Sequence, residues 1–119
     1  MEFVEAPAFT RHVASYLDDA DLVALQMFLL EQPEAGKVMP GTGGFRKLRW
    51  NDETRGKGKR GGLRIIYYWL SDRQQIWLFT LYDKGEAADL TTRQKEQLRA
   101  ALIAELDTRQ KTTTRQRRR

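Results

Sequence analysis

Cysteine is absent from this 119-residue sequence, and histidine occurs once, at His12. The lack of thiols excludes a disulfide framework, a zinc knuckle and a cysteine nucleophile. No apolar run approaches the ~18 residues that span a bilayer. The N-terminus MEFVEAPAFT carries two glutamates and no basic residue, unlike a secretory signal. These absences lead us to expect a soluble, cytoplasmic protein. At this length there is room for one domain with a modest core, about three helices on a small sheet, and none for a second domain.

What is abundant is positive charge, in two places. The net charge is +5, from 21 basic and 16 acidic residues. Residues 1–44 hold two basic and seven acidic residues, and residues 65–107 hold five basic and seven acidic. By contrast, residues 45–64 hold eight basic against two acidic, and residues 108–119 hold six basic and no acid. A local cluster attracts a polyanion and raises encounter rates, whereas the same charge spread evenly mainly aids solubility. A solvated face is the ordinary alternative for the terminal run.

Apolar periodicity places these segments. Phe3 to Glu5 reads as a short strand ended by Pro7. Phe9, Val13, Tyr16 and Leu17 share one helix face. The stretch Asp18-Asp19-Ala-Asp21 offers an N-cap with acids in the first turn, where the helix dipole favours negative charge. The helix that follows, Leu22 to Glu31, is apolar on nearly every side and is expected to be largely buried. A loop rich in glycine and proline covers residues 32–44. Three strands follow: Phe45 to Trp50, Leu63 to Leu70 and Gln75 to Tyr82, the last two joined by a turn at Ser71 to Gln74. Thr91 and Gln94 form a capping-box pattern for a last helix whose buried face includes Leu98, Leu102 and Leu106. The expected fold is α+β, a small twisted antiparallel sheet with the helices on one face. Residues 1–107 form its single domain, and residues 108–119 form a basic, disordered tail with nothing to pack. Removing that tail is expected to weaken affinity for a polyanion in a salt-dependent way.

The segment GKGKRGG, Gly56 to Gly62, contains a literal G-x-G-x-x-G match. A dinucleotide fingerprint must leave a strand and open a helix whose N-terminus holds the pyrophosphate. Here the glycines run into the strand Leu63 to Leu70, so that reading fails. The P-loop pattern also fails, because Gly61-Gly62 stands where Gly-Lys-Ser/Thr is required. What survives is a glycine-flexible connection between strands in which Lys57, Lys59, Arg60 and Arg64 supply donors to a phosphate.

The runs GTGGFRKLRW (41–50), GKGKRGGLRIIYYW (56–69) and LYDKGEAADLT (81–91) together resemble the RelE/HigB toxins of bacterial type II toxin–antitoxin systems. The similarity is greatest to the HigB branch, in which a Gly/Lys-rich hairpin precedes an R-[IV]-I-Y-Y strand, and it covers roughly residues 3–107. It implies a metal-independent endoribonuclease, an mRNA interferase that cuts mRNA in the ribosomal A site and so inhibits translation. The ribosome and mRNA are then partners, as is a cognate antitoxin, and no cofactor is needed. The family's strand-opening arginine matches Arg64, its basic hairpin residues match Lys57, Lys59 and Arg60, and its basic residue after the last strand matches Lys84. Lys47 falls where some RelE members place a catalytic lysine. Arg46, Lys47, Arg49, Tyr82 and Glu86 form the expected RNA-contacting set. The sequence departs from its relatives at Lys84-Gly85-Glu86, where many have Lys-Asn-Glu, and at Thr91, where several have tyrosine.

Cleavage by RNA's own 2′-hydroxyl requires three things: a base to deprotonate it, positive charge around the phosphate, and a proton for the 5′-oxygen. Arginine and lysine clamps suit the second role, and losing one such donor typically costs ~10²–10³ in rate. For the first, crowding by neighbouring cations lowers a lysine pKa, which makes Lys57 or Lys59 a candidate base. His12 is remote in sequence and suits an ordinary helix position better. Asp52 and Glu53 suit a turn, and Glu86 suits either an acidic role or a salt bridge to the arginines. Most strand aromatics suit the core, and Tyr82 also suits base stacking. Two other classes stay open: a ParE-like toxin that inhibits DNA gyrase, and a non-enzymatic RNA- or ribosome-binding module.

Overall fold

A computed structural model of the chain describes residues 1–50, 62–83 and 90–117. In chain order these form β1 (Glu2–Glu5), α1 (Pro7–Val13), α2 (Asp19–Glu31), β2 (Lys37–Val38), β3 (Arg46–Trp50), β4 (Leu63–Leu70), β5 (Gln75–Asp83) and α3 (Thr92–Arg117). The α+β class expected from the sequence is the observed one. The strands form one sheet in the order β1-β5-β4-β3-β2. Strands β3 to β5 pair antiparallel as expected; β2, inside the segment expected as a loop, adds a short antiparallel edge beside β3, and β1 lies parallel to β5, from Glu2 beside Gln75 to Glu5 beside Leu78, so the sheet is mixed.

Local chemistry accounts for the element ends. Asp18 caps α2 with a full capping box: its Oδ1 accepts from Asp21 N at 2.8 Å, and Asp21 Oδ2 accepts from Asp18 N at 3.4 Å. The box predicted at α3 is present too, with Gln94 N donating to Thr91 Oγ1 at 3.1 Å and Thr91 N to Gln94 Oε1 at 2.8 Å. Between β4 and β5, Ser71–Arg73 forms a short 3₁₀ turn that ends on Gln74 at φ +53°.

Helices α1 and α2 bury Phe9, Leu25 and Leu29 against Leu48, Ile65, Tyr67, Ile76, Leu78 and Leu81 on one face of the sheet. On the other face, Leu98 and Leu102 of α3 join Phe45, Ile66, Leu70 and Trp77. All helices were expected on one face; α3 lies on the second because β4 offers apolar residues on both sides, Ile65 to one and Ile66 to the other. A second difference concerns α2, whose Val23, Met27 and Leu30 are 56%, 56% and 44% exposed. One sheet face covers only one stripe of a helix, and residues spaced i, i+4, i+7 on the far side stay outside it. The third lies at the C-terminus: the basic segment expected as a disordered tail continues α3 as helical backbone to Arg117. Among the described residues, no helix is long and apolar enough to cross a membrane.

Tyr67, fully buried, ties β4 to the loop after α2. Its hydroxyl donates to Pro33 O at 2.8 Å and accepts from Gly36 N at 2.9 Å. A Cβ on Gly36 would sit 2.8 Å from Tyr67 Cε1, so only glycine allows this approach. Burial raises the Tyr67 phenol pKa above its ordinary 10.0, outweighing the opposing hydrogen bond from Gly36. In the unfolded chain the phenol ionises first, so the folded state is favoured below pH ~10 and loses that advantage as pH rises through the higher folded pKa. Tyr67→Phe strands Gly36 N–H and Pro33 C=O and should lower stability by about 1–3 kcal/mol. Its denaturant midpoint near neutrality should fall, and its stability loss between pH 9 and 11 should be smaller than that of the parent chain.

Candidate functional site

Strand pairing lines up three of the candidate residues. Arg49 of β3 lies opposite Arg64 of β4, and Arg64 lies opposite Tyr82 of β5, so the three form one row across the sheet. One step along, Lys47, Ile66 and Thr80 form the next row on the same face, two residues on and therefore about 7 Å away. Ile66 and Tyr82 belong to the α3 side of the sheet, which identifies the face that carries both rows.

Register, rather than sequence proximity, brings these residues together. Side chains directly opposite on antiparallel strands stand ~5 Å apart at Cβ, and like charges placed there destabilise the pair. Arg49 and Arg64 pay that cost side by side. Arg64 is 5% exposed, the one charged side chain buried among the described residues, whereas Arg49 is exposed and Lys47 and Tyr82 are half-buried. A buried guanidinium on a central strand is held in place by its packing, and its rigid fork suits the oxygens of one phosphate. Tyr82 packs its ring against the Ile66–Trp77 cluster, with its phenolic oxygen buried, and so forms one side of the site.

The next row, Trp50, Leu63 and Asp83, closes this end of the three strands. Segments 51–61 and 84–89 attach here, and with them Lys57, Lys59, Arg60, Lys84 and Glu86, all of which lie outside the described residues. Arg64 is the second residue of β4, adjacent to that junction.

Arg46 is not part of this grouping. It pairs with Tyr67 and turns to the α1–α2 side, where its Nη1 donates to Gly36 O at 2.8 Å and Glu34 O at 3.2 Å, with Glu34 Oε2 3.9 Å from Nη2. Its hydrogen bonds latch the loop that Tyr67 also holds. His12 is exposed in the last turn of α1, whose Phe9 packs on the opposite face of the sheet. Among the described residues, no group of three or more His, Cys, Asp or Glu is placed to hold a metal ion. Thr80, beside Ile66 in the second row, is a partly exposed residue that no sequence motif singles out. Only the register of β5 across the bulge after Ile66 puts it there.

No family model matches the chain. Among solved structures, the crystal structure of the intact E. coli RelBE toxin–antitoxin complex is similar. The TM-score is 0.48 and the identity 15%, over 66% of this chain and 90% of that one.

Proposed function

We propose that the chain is the toxin of a type II toxin–antitoxin pair, a RelE/HigB-type endoribonuclease that cleaves mRNA in the ribosomal A site and is neutralised by a cognate antitoxin. The observation that carries this reading is the Arg49–Arg64–Tyr82 row. It sets Arg49 directly opposite the buried Arg64, near the ends of β3 and β4 that the segment containing Lys57, Lys59 and Arg60 joins in sequence.

The chemistry follows from the residue types. A base removes the proton of the ribose 2′-hydroxyl, and the resulting oxyanion attacks the adjacent phosphorus. The bond from phosphorus to the 5′-oxygen breaks, and its electron pair leaves on that oxygen, which takes a proton. The products are a 2′,3′-cyclic phosphate and a 5′-hydroxyl. Arg64 and Arg49 hold the phosphate and offset the charge that builds on its oxygens, a contribution larger in the transition state than in the ground state. Lys57 or Lys59 acts as the base, with Arg60 and Lys84 adding charge and a proton source. Lys47 and Tyr82 border the path of the bound strand, where stacking of one splayed base contributes ~1–3 kcal/mol.

Induction of the chain in growing bacteria, followed by mapping of mRNA 5′ ends, tests this reading. In-frame cuts that vanish with Arg64→Ala are expected. Intact mRNA with DNA damage would instead point to gyrase, and intact mRNA and DNA would point to a binding module.

A further inference from the structure

Helix α2 carries two apolar stripes, and the sheet covers only one of them. Leu22, Leu25, Phe28 and Leu29 pack inward on the sheet, with the Phe28 ring 5.4 Å from that of Trp50. On the opposite side Ala20, Val23, Ala24, Met27 and Leu30 are all exposed. A helix that is apolar on nearly every side is ordinarily covered on every side. The steps from Ala20 to Val23, Met27 and Leu30 are three, four and three residues, which is the spacing of the seam along which two helices pair. The small side chains of Ala20 and Ala24 let a second helix approach closely. In this register Asp19 and Glu31, both exposed, fall on the two flanks of the seam, where charge decides which helix is accepted as a partner. Residues 13–36 as a whole hold five acidic residues and neither lysine nor arginine.

We propose that the outer stripe of α2 docks an amphipathic helix of a protein partner, one with an apolar seam and lysine or arginine on its flanks. The seam spans residues 20–30, about 16 Å at 1.5 Å per residue, and so accepts a partner helix of three to four turns. The apolar stripe supplies the driving force, and the acids at its two ends supply the choice of partner. A second copy of this chain is a poor occupant. Two facing stripes would bring Asp19 and Glu31 of one copy against the same acids of the other, whether the helices run parallel or antiparallel. The inference does not depend on ribonuclease activity, because α2 lies on the sheet face opposite the one that carries the arginine row.

The test is a titration of the full chain with helix-stapled peptides of three to four turns, followed in ¹H–¹³C correlation spectra at the methyl groups of Val23, Met27 and Leu30. One peptide has a leucine seam with lysine flanks, a second the same seam with glutamate flanks, and a third lysine flanks with a serine seam. Saturable shifts of the three methyl signals are expected with the first peptide, at an affinity roughly tenfold above that for the second, and added salt should narrow that difference. Met27→Gln keeps the side-chain length at an exposed position and should weaken binding of the first peptide roughly tenfold. The double variant Asp19→Asn, Glu31→Gln should remove most of the preference for lysine flanks. Unchanged methyl signals at Leu25 and Leu29 confirm that each variant stays folded. The proposal is overturned if the serine-seam peptide binds as well as the first, if lysine and glutamate flanks bind alike, if the variants bind undiminished, or if no peptide shifts these methyl signals. It is equally overturned if the signals move on dilution of the chain alone, which would assign the stripe to a second copy, or if the Met27 methyl group of the free chain shows contacts to residues 51–61, which would assign it to the chain's own basic segment.

Discussion

Arg64→Ala should reduce the rate of mRNA cleavage on programmed ribosomes by roughly 10²–10³-fold, with a smaller change in the concentration needed for half-maximal rate. Arg64 is 5% exposed on a central strand, so the sheet holds it in place before substrate arrives and little reorganisation is needed as charge develops on the phosphate. Alanine removes both the charge and the fork. Arg64→Lys keeps the charge on a flexible stem and loses bidentate geometry, so it should recover only part of the rate. Because the side chain is buried, some stability is lost with it. Thermal unfolding of both variants separates that loss from catalysis, and a folded Arg64→Ala chain that cleaves at the parent rate would remove Arg64 from the site.

The second large effect concerns the base. Replacing Lys57 and Lys59 together by arginine retains both charges but removes any group able to lose a proton near neutrality, since arginine remains protonated. General-base catalysis is typically worth 10²–10⁴-fold, so the double variant should cleave at least ~100-fold more slowly while binding RNA with parent affinity and the parent salt dependence. Its residual rate should continue to rise with pH where the parent's levels off. Undiminished cleavage by the double variant would end the lysine-base assignment and leave the proton to another group.

The extent to which this site can be read from the sequence depends on which physical signals are local. The N-cap signal in Asp18 to Asp21, the capping box at Thr91 and the strand from Leu63 to Leu70 are local patterns of residue type, and each appears in the structure. In β3, cations occupy both faces: Arg46, Leu48 and Trp50 alternate with Lys47 and Arg49, and only pairing with Tyr67 and Arg64 separates the latch from the row. The placement of α3 was hidden for a similar reason. Leu98 and Leu102 show that the helix buries a stripe, but β4 is apolar on both sides and gives no hint of which face receives it. The parallel pairing of β1 with β5 joins residues some 70 positions apart, and no local pattern encodes it.

The central claim is that Arg49 and Arg64, opposed in register, act on one phosphate. A double-mutant cycle measures this most directly: single-turnover cleavage of ribosome-bound mRNA by the parent chain, Arg49→Ala, Arg64→Ala and the double variant. If both guanidiniums hold the same group, the losses are not additive, and the double variant should be no more than ~10-fold slower than Arg64→Ala even where Arg49→Ala alone costs ~100-fold. Strictly additive losses, or full activity in Arg49→Ala, would contradict a shared phosphate clamp.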